Sequence, residues 1–185
     1  MNCLLADASL IPTTLGQIAS LWAIRIAMLL LVVVFTLQLL GMSKTNKGIA
    51  GLWLLGALLS LGHSVGALFT FHHANLAEAY ESTARQTHEL MGFRVGAGLY
   101  VNYVFVFVWL TDAVLRLTIP NKYNQFPKSY FIAVYGFLLF IAVNGAIIFK
   151  SGWIRIFGCA CAGILLLLCW CQRARDHTVR LGNRK

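Results

Sequence analysis

The sequence predicts an all-α membrane protein with five transmembrane helices and one amphipathic helix lying along the interface. Three observations carry this expectation. Only 11% of the 185 residues are charged and 59% are hydrophobic, whereas soluble domains use about 25% charged residues. Five apolar runs, at about 17–41, 48–71, 94–117, 129–149 and 152–171, each approach the roughly 20 residues that cross about 30 Å of hydrocarbon as helix. The runs also lack the period-2 alternation of a membrane barrel. Backbone groups in lipid need partners within their own segment, so the runs are helices.

The N-terminal stretch MNCLLADASLIPTTLGQ has no basic region. The first apolar run is too long for the core of a cleaved signal and reads as a retained span. Cys3 has no apolar run before it and is not a lipoprotein cysteine. No linker, low-complexity tract or repeat divides the chain, so residues 1–185 form one transmembrane domain.

Between the second and third runs lies FHHANLAEAYESTARQTHELMGFR, residues 71–94, which holds three of the six acids and three of the five histidines. Asn75 followed by Glu78 fits an N-cap with an acid at N3, and Gly92 fits a C′ stop, so a helix is expected over about 76–91. Glu78, Glu81, Ser82, Arg85 and Glu89 share one face of it; Leu76, Tyr80, Thr83, Ala84, Thr87 and Met91 share the other. The charged face reads as solvated, with i,i+4 pairs Glu81–Arg85 and Arg85–Glu89. Arg85 between Glu81 and His88 opposes a divalent metal there. His72 and His73 point about 100° apart on a helix and read as interfacial histidines. The underside, with Tyr80, Thr83 and Thr87, is expected to lie over the bundle as a lid.

Orientation follows from the cations. With the N-terminus outside, Lys44, Lys47, Arg116, Lys122, Lys128, Arg173, Arg175, Arg180, Arg184 and Lys185 face the cytoplasm; Arg85, Arg94, Lys150 and Arg155 lie outside. The positive-inside rule therefore orients a multi-pass cell-membrane protein with its N-terminus outside and its C-terminus cytoplasmic. The net charge of +9 flanks spans rather than building a groove-reading element, which argues against nucleic acid as a partner. The basic tail QRARDHTVRLGNRK reads as attracted to anionic membrane lipid.

Polar residues inside spans are functional candidates by default. Arg25, His63 and Asn102 each fall about 8 residues from the outer end of their run, roughly 12 Å deep at 1.5 Å per residue. Asn144 and Cys159 sit at similar depth in the last two runs. Gly56, Ser60, His63, Ala67 and Thr70 form a small-and-polar stripe that faces other helices. Gly98, Asn102, Phe105, Trp109 and Arg116 form another, with Asp112 at its margin and Tyr103 on a flank. Asp112 and Arg116, i,i+4 near the cytoplasmic end, read as a local pair. Arg25 either snorkels outward or needs an acceptor such as Glu81, a ligand acid, a phosphate or a haem propionate. The expected ligand-binding set is His63, Arg25, Asn102 and Tyr103. His63 can ligate a metal or haem iron, or donate to a quinone carbonyl; its bland alternative is a bundle histidine bonded to Asn102, Tyr103 or a backbone carbonyl.

Other motifs are negative. Cys159/Cys161 and Cys169/Cys171 are spaced i,i+2, about 200° apart on a helix, and read as small apolar residues. No CxxC, P-loop, HExxH, serine-nucleophile motif or mid-span lysine is present, which assigns no catalytic residue and favours a non-enzyme. The stretch HSVGALFTFHHANLAEAYESTARQTHELMGFRVGAGLYVNYVFVFVWLTDAV, residues 63–114, resembles a core found in small multi-pass bacterial membrane proteins of unknown function. That resemblance implies the bacterial inner membrane as the location, but no activity, cofactor or site residue. The first expectation is thus a ligand-binding or redox-accessory protein holding haem, quinone or another small ligand under the lid. The alternatives are a scaffold or assembly subunit of a membrane complex, alone or as a homo-oligomer, and a small-solute transporter or channel.

Overall fold

The computed structural model describes residues 15–148 and 152–182, and these are helical apart from short connections. In chain order the helices are α1 (Leu15–Leu39), α2 (Lys47–Phe71), α3 (Leu76–Met91), α4 (Gly98–Thr118), the short α5 (Pro120–Tyr123), α6 (Lys128–Val143) and α7 (Gly152–Gly182). A π-helical turn, Asn144–Ile148, continues α6. Four segments are long and apolar enough to cross a membrane: Leu15–Leu39, Lys47–Phe71, Gly98–Thr118 and Lys128–Ala146. They fit a multi-pass transmembrane protein. The expected fifth run, 152–171, lies within α7, where the apolar helical part among the described residues is the shorter Gly158–Leu167. Arg155 precedes that part, and Arg173 and Arg175 follow it.

Local signals set the helix ends. The Asn46 side chain caps α2 by accepting from the Gly48 and Ile49 amides. The Asn75 side chain does the same for α3 from Ala77 and Glu78. Gly92, at φ 78°, closes α3 in the left-handed region, its N–H donating to the His88 carbonyl; a residue without Cβ takes that conformation without strain. Between α2 and α3 the chain reverses through His73 (φ 46°) and Ala74 (φ 59°), and the Ala74 amide donates back to the Leu68 carbonyl at 2.9 Å. Pro120 starts α5 and Pro127 precedes α6, positions where a missing N–H leaves no helical bond unmade.

α1 packs along α2, α2 against α4, and α4 against α6. The core is Ala27, Leu31, Val34 and Phe35 of α1, Ile49, Trp53 and Ala57 of α2, Phe105, Val106, Trp109 and Ala113 of α4, Leu138 of α6 and Leu165 of α7. Lipid tails are as apolar as these side chains, so close packing rather than hydrophobicity holds such helices together, and small residues permit it. Gly56 shows this directly: a Cβ there would lie 2.6 Å from the Trp109 ring. Further along α2, Gly66 lets Ser20 approach to 3.5 Å of the Cβ position. Gly96 admits α3, since a Cβ on it would clash with the Tyr80 carbonyl oxygen.

Candidate functional site

Two polar centres are built into the bundle, one at each end. The first lies where α1 meets the outer half of α2. Ser20 is buried on α1, and its carbonyl oxygen is 2.9 Å from His63 Nδ1. A carbonyl can only accept, so Nδ1 carries a proton in this contact. The Ser20 hydroxyl also stands 3.0 Å from Nδ1 and donates to the His63 carbonyl at 3.3 Å. One turn nearer the helix ends, Gln17 Nε2 donates to the Thr70 carbonyl at 3.1 Å. The small-and-polar stripe of α2 therefore faces α1 and fastens it.

Of the set expected to surround a ligand, Arg25 is turned away from His63. Ser20 and Arg25 are five residues apart, about 140° around α1. With Ser20 turned to His63, Arg25 lies on the exposed side of the helix, its guanidinium 5.1 Å from the Trp22 ring centroid. Glu81, the expected acceptor for Arg25, pairs with Arg94 instead, and this also replaces the expected Glu81–Arg85 pair. Asn102 is exposed and Tyr103 half-buried. On the helix expected as a lid, Thr87 is buried and Thr83 half-buried. Their hydroxyls donate to carbonyls of their own helix, Thr83 to Ala79 at 2.9 Å and Thr87 to Thr83 at 3.0 Å. Tyr80 stacks at a tilt on Tyr100, with centroids 6.0 Å apart, and so seats α3 on the start of α4. His72, at the foot of that turn, has its pKa lowered by burial, with the Glu78 charge opposing.

The second centre lies at the other end and is larger than the sequence indicated. Asp112 and Arg116 are both buried, and Arg116 Nε donates to Asp112 Oδ2 at 2.8 Å. Trp53 Nε1 of α2 donates to the same oxygen at 2.8 Å. The other oxygen, Oδ1, accepts from Tyr123 of α5 at 2.8 Å and from Tyr130 of α6 at 2.9 Å. Arg116 Nη2 donates to Tyr135 of α6 at 2.8 Å, and its guanidinium lies 4.2 Å from the Trp53 ring centroid. Asp112 thus stands at the middle of the buried face of α4, not at its margin. Four donors from four helices close on one carboxylate.

The carboxylate is fully occupied, while the guanidinium is not. Arg116 Nη1 is buried without a hydrogen-bond partner among the described residues, and stacking on Trp53 is what that side of the guanidinium has. Burial pushes the Tyr123 phenol far above its usual range, with the Arg116 charge opposing, so it remains a donor at any ordinary pH. Lys44, in the α1–α2 loop, sits over Phe131 at 3.7 Å from the ring centroid. Its pKa is lowered, first by burial and then by the nearby Arg116 charge. Thr45 in that loop accepts from Asn124 Nδ2 at 3.0 Å, which ties the α1–α2 and α5–α6 connections at one end of the bundle.

Sequence reasoning missed Trp53, Tyr123, Tyr130, Tyr135 and Lys44. The signal that could have found them is the tyrosine-rich YNQFPKSYFIAVY that follows the buried charge pair. No family model matches the chain, and no curated protein or solved structure matches it either.

Proposed function

We propose that this chain is a non-catalytic scaffold or assembly subunit of a membrane complex. The observation that carries the reading is the Asp112 carboxylate. Both of its oxygens are occupied by donors from its own bundle, so the carboxylate buried within the spans serves to hold α2, α4, α5 and α6 together. The outward faces carry the surface for partners: Trp153, Ile156, Leu166, Leu167 and Trp170 of α7 are all exposed. The test is the size of the particle extracted from native membranes into lipid nanodiscs. The expected result is a protein assembly larger than the 20.5 kDa chain; a lone chain overturns the reading.

A second reading has His63 in its favour, because a backbone-held Nδ1 proton is how proteins orient histidines that bind metal or haem through Nε2. A Soret band, or extractable quinone, that disappears in His63→Ala would put a ligand-binding or redox-accessory role in its place.

We also infer five crossings of the bacterial inner membrane, with the N-terminus outside and the C-terminus cytoplasmic. α7 supports the fifth crossing, since residues 152–171 reach about 30 Å as helix. The Thr45–Asn124 bond supports the orientation, because it gathers the loops of Lys44 and Lys122 at one end, as the positive-inside rule requires. Reporters fused at the α1–α2 loop and at the C-terminus should then lie on the same side of the membrane, both fluorescent as green fluorescent protein and both inactive as alkaline phosphatase. Opposite sides would mean that α7 does not cross.

A further inference from the structure

We propose that the exposed face of α1 around Arg25 is a docking surface for a transmembrane helix of a different protein, one that carries a carboxylate at the same depth. The proposal rests on the assembly reading above and names the chemistry of one partner. Ile18, Trp22, Arg25 and Leu29 are all exposed, and they follow one another at spacings of four, three and four, the register of a helix–helix seam. This face points away from Ser20 and His63.

Arg25 lies in the middle of that seam and inside a span. α1 is 25 residues long, about 37 Å, so it overhangs a hydrocarbon layer of about 30 Å slightly at each end. Arg25 then falls roughly 12 Å below the outer boundary, and the turn back to Trp22 recovers only about 5 Å of that. The guanidinium is left in hydrocarbon, where ionisable side chains almost always face a partner or a water-filled cavity. Trp22, 55% exposed, covers one of its faces and leaves its edge donors to be met.

The chain's own acids narrow what can meet them. They are Asp7, Glu78, Glu81, Glu89, Asp112 and Asp176. Asp112 is the one that falls in the four spans, and it is enclosed at the other end of the bundle by its four donors. Glu81 is paired with Arg94. Glu78 and Glu89 belong to α3, and Asp7 and Asp176 likewise stand outside the four spans in the sequence. A second copy docked through the same seam would set Arg25 against Arg25, which repels. A guanidinium fork in a dry seam selects a carboxylate, which it can grip through two parallel bonds. The occupant that fits is therefore another protein's helix with Asp or Glu facing the seam.

The experiment uses the full chain, carrying a fluorescent donor at its C-terminus, in phosphatidylcholine vesicles. The probe is an acceptor-labelled leucine–alanine transmembrane peptide with a single Glu roughly 12 Å from its outer end; its controls carry Gln or Leu there. Energy transfer should show the Glu peptide binding at least about fivefold more tightly than the Leu peptide, in keeping with polar bonds between helices in lipid. Arg25→Leu should abolish the preference, and Arg25→Lys should keep part of it. Equal binding of Glu and Leu peptides to the unmodified chain overturns the proposal, as does a preference that survives Arg25→Leu. A preference that vanishes when anionic phosphatidylglycerol is added also overturns it, because the guanidinium would then be serving headgroup phosphates. Any of these failures leaves the assembly reading standing if the native particle is larger than one chain; a lone chain in native membranes removes that reading by itself.

Discussion

Asp112→Leu should destabilise the folded bundle by about 3–5 kcal/mol, the usual consequence of removing one partner of a buried ion pair. The loss comes from several places at once. Arg116 Nε keeps only the Tyr123 hydroxyl, at 3.0 Å, and the guanidinium becomes a buried charge with no counter-charge. Trp53 Nε1 loses its acceptor, and so does the Tyr130 hydroxyl. Each buried donor left without an acceptor forfeits about 1–3 kcal/mol of solvation. Two companion variants separate charge from shape. Asp112→Asn keeps the size and one carbonyl oxygen, so its effect should be smaller than that of the leucine. Asp112→Leu combined with Arg116→Met removes both charges, and much of the stability should return, since a well-packed apolar pair can replace a buried ion pair. Denaturant titration in detergent, followed by tryptophan fluorescence, measures all three. A double variant less stable than Asp112→Leu alone would show that the pair contributes through something other than mutual neutralisation.

How far the sequence could be read depended on the range of each interaction. The ends of α3 were legible because Asn75, Glu78 and Gly92 act within one turn of the helix they bound. The Asp112–Arg116 pair was legible for the same reason, its members being four residues apart. Its remaining partners were not: Trp53 is 59 residues from Asp112, and Tyr130 is 18. Such contacts follow from which faces of α2, α4 and α6 meet, and a periodicity within one helix does not contain that. The polar layer failed along the same line. Depth can be counted at 1.5 Å per residue, and Arg25 and His63 do fall at comparable depth by that count. The angle around α1 cannot be counted in this way, because LLLVVVF is apolar on every side and marks no inner face. Ser20 supplied the missing angle, and it set Arg25 on the outside. The fifth span presents the same difficulty, since among the described side chains of α7 Leu165 joins the core while Trp153, Ile156, Leu166, Leu167 and Trp170 stay exposed, and a helix apolar on its outward side marks no single inner face.

Trp53→Ala should be comparably damaging, about 3–5 kcal/mol, and the tryptophan four residues beyond Phe105 provides an internal control for the reason. Trp53 is fully buried. It meets Phe35 edge-on at 5.5 Å, Trp109 at a tilt at 5.2 Å and Tyr135 at 6.1 Å between centroids. It also donates to Asp112 and lies against the Arg116 guanidinium. Trp109 is equally buried and meets two aromatic rings, Trp53 and Phe105, yet its Nε1 has no hydrogen-bond partner among the described residues. Truncating either indole to phenylalanine removes a similar volume and one N–H. In Trp53→Phe the lost N–H was bonded to a carboxylate, a bond contributing about 1.5–3 kcal/mol, whereas in Trp109→Phe an unmet donor is removed, which by itself relieves a desolvation penalty. Trp53→Phe should therefore unfold at clearly lower denaturant concentration than Trp109→Phe. Equal midpoints would mean that the Trp53–Asp112 bond adds nothing beyond packing, and that the cluster at this end of the bundle is held by ring contacts rather than by the carboxylate at its centre.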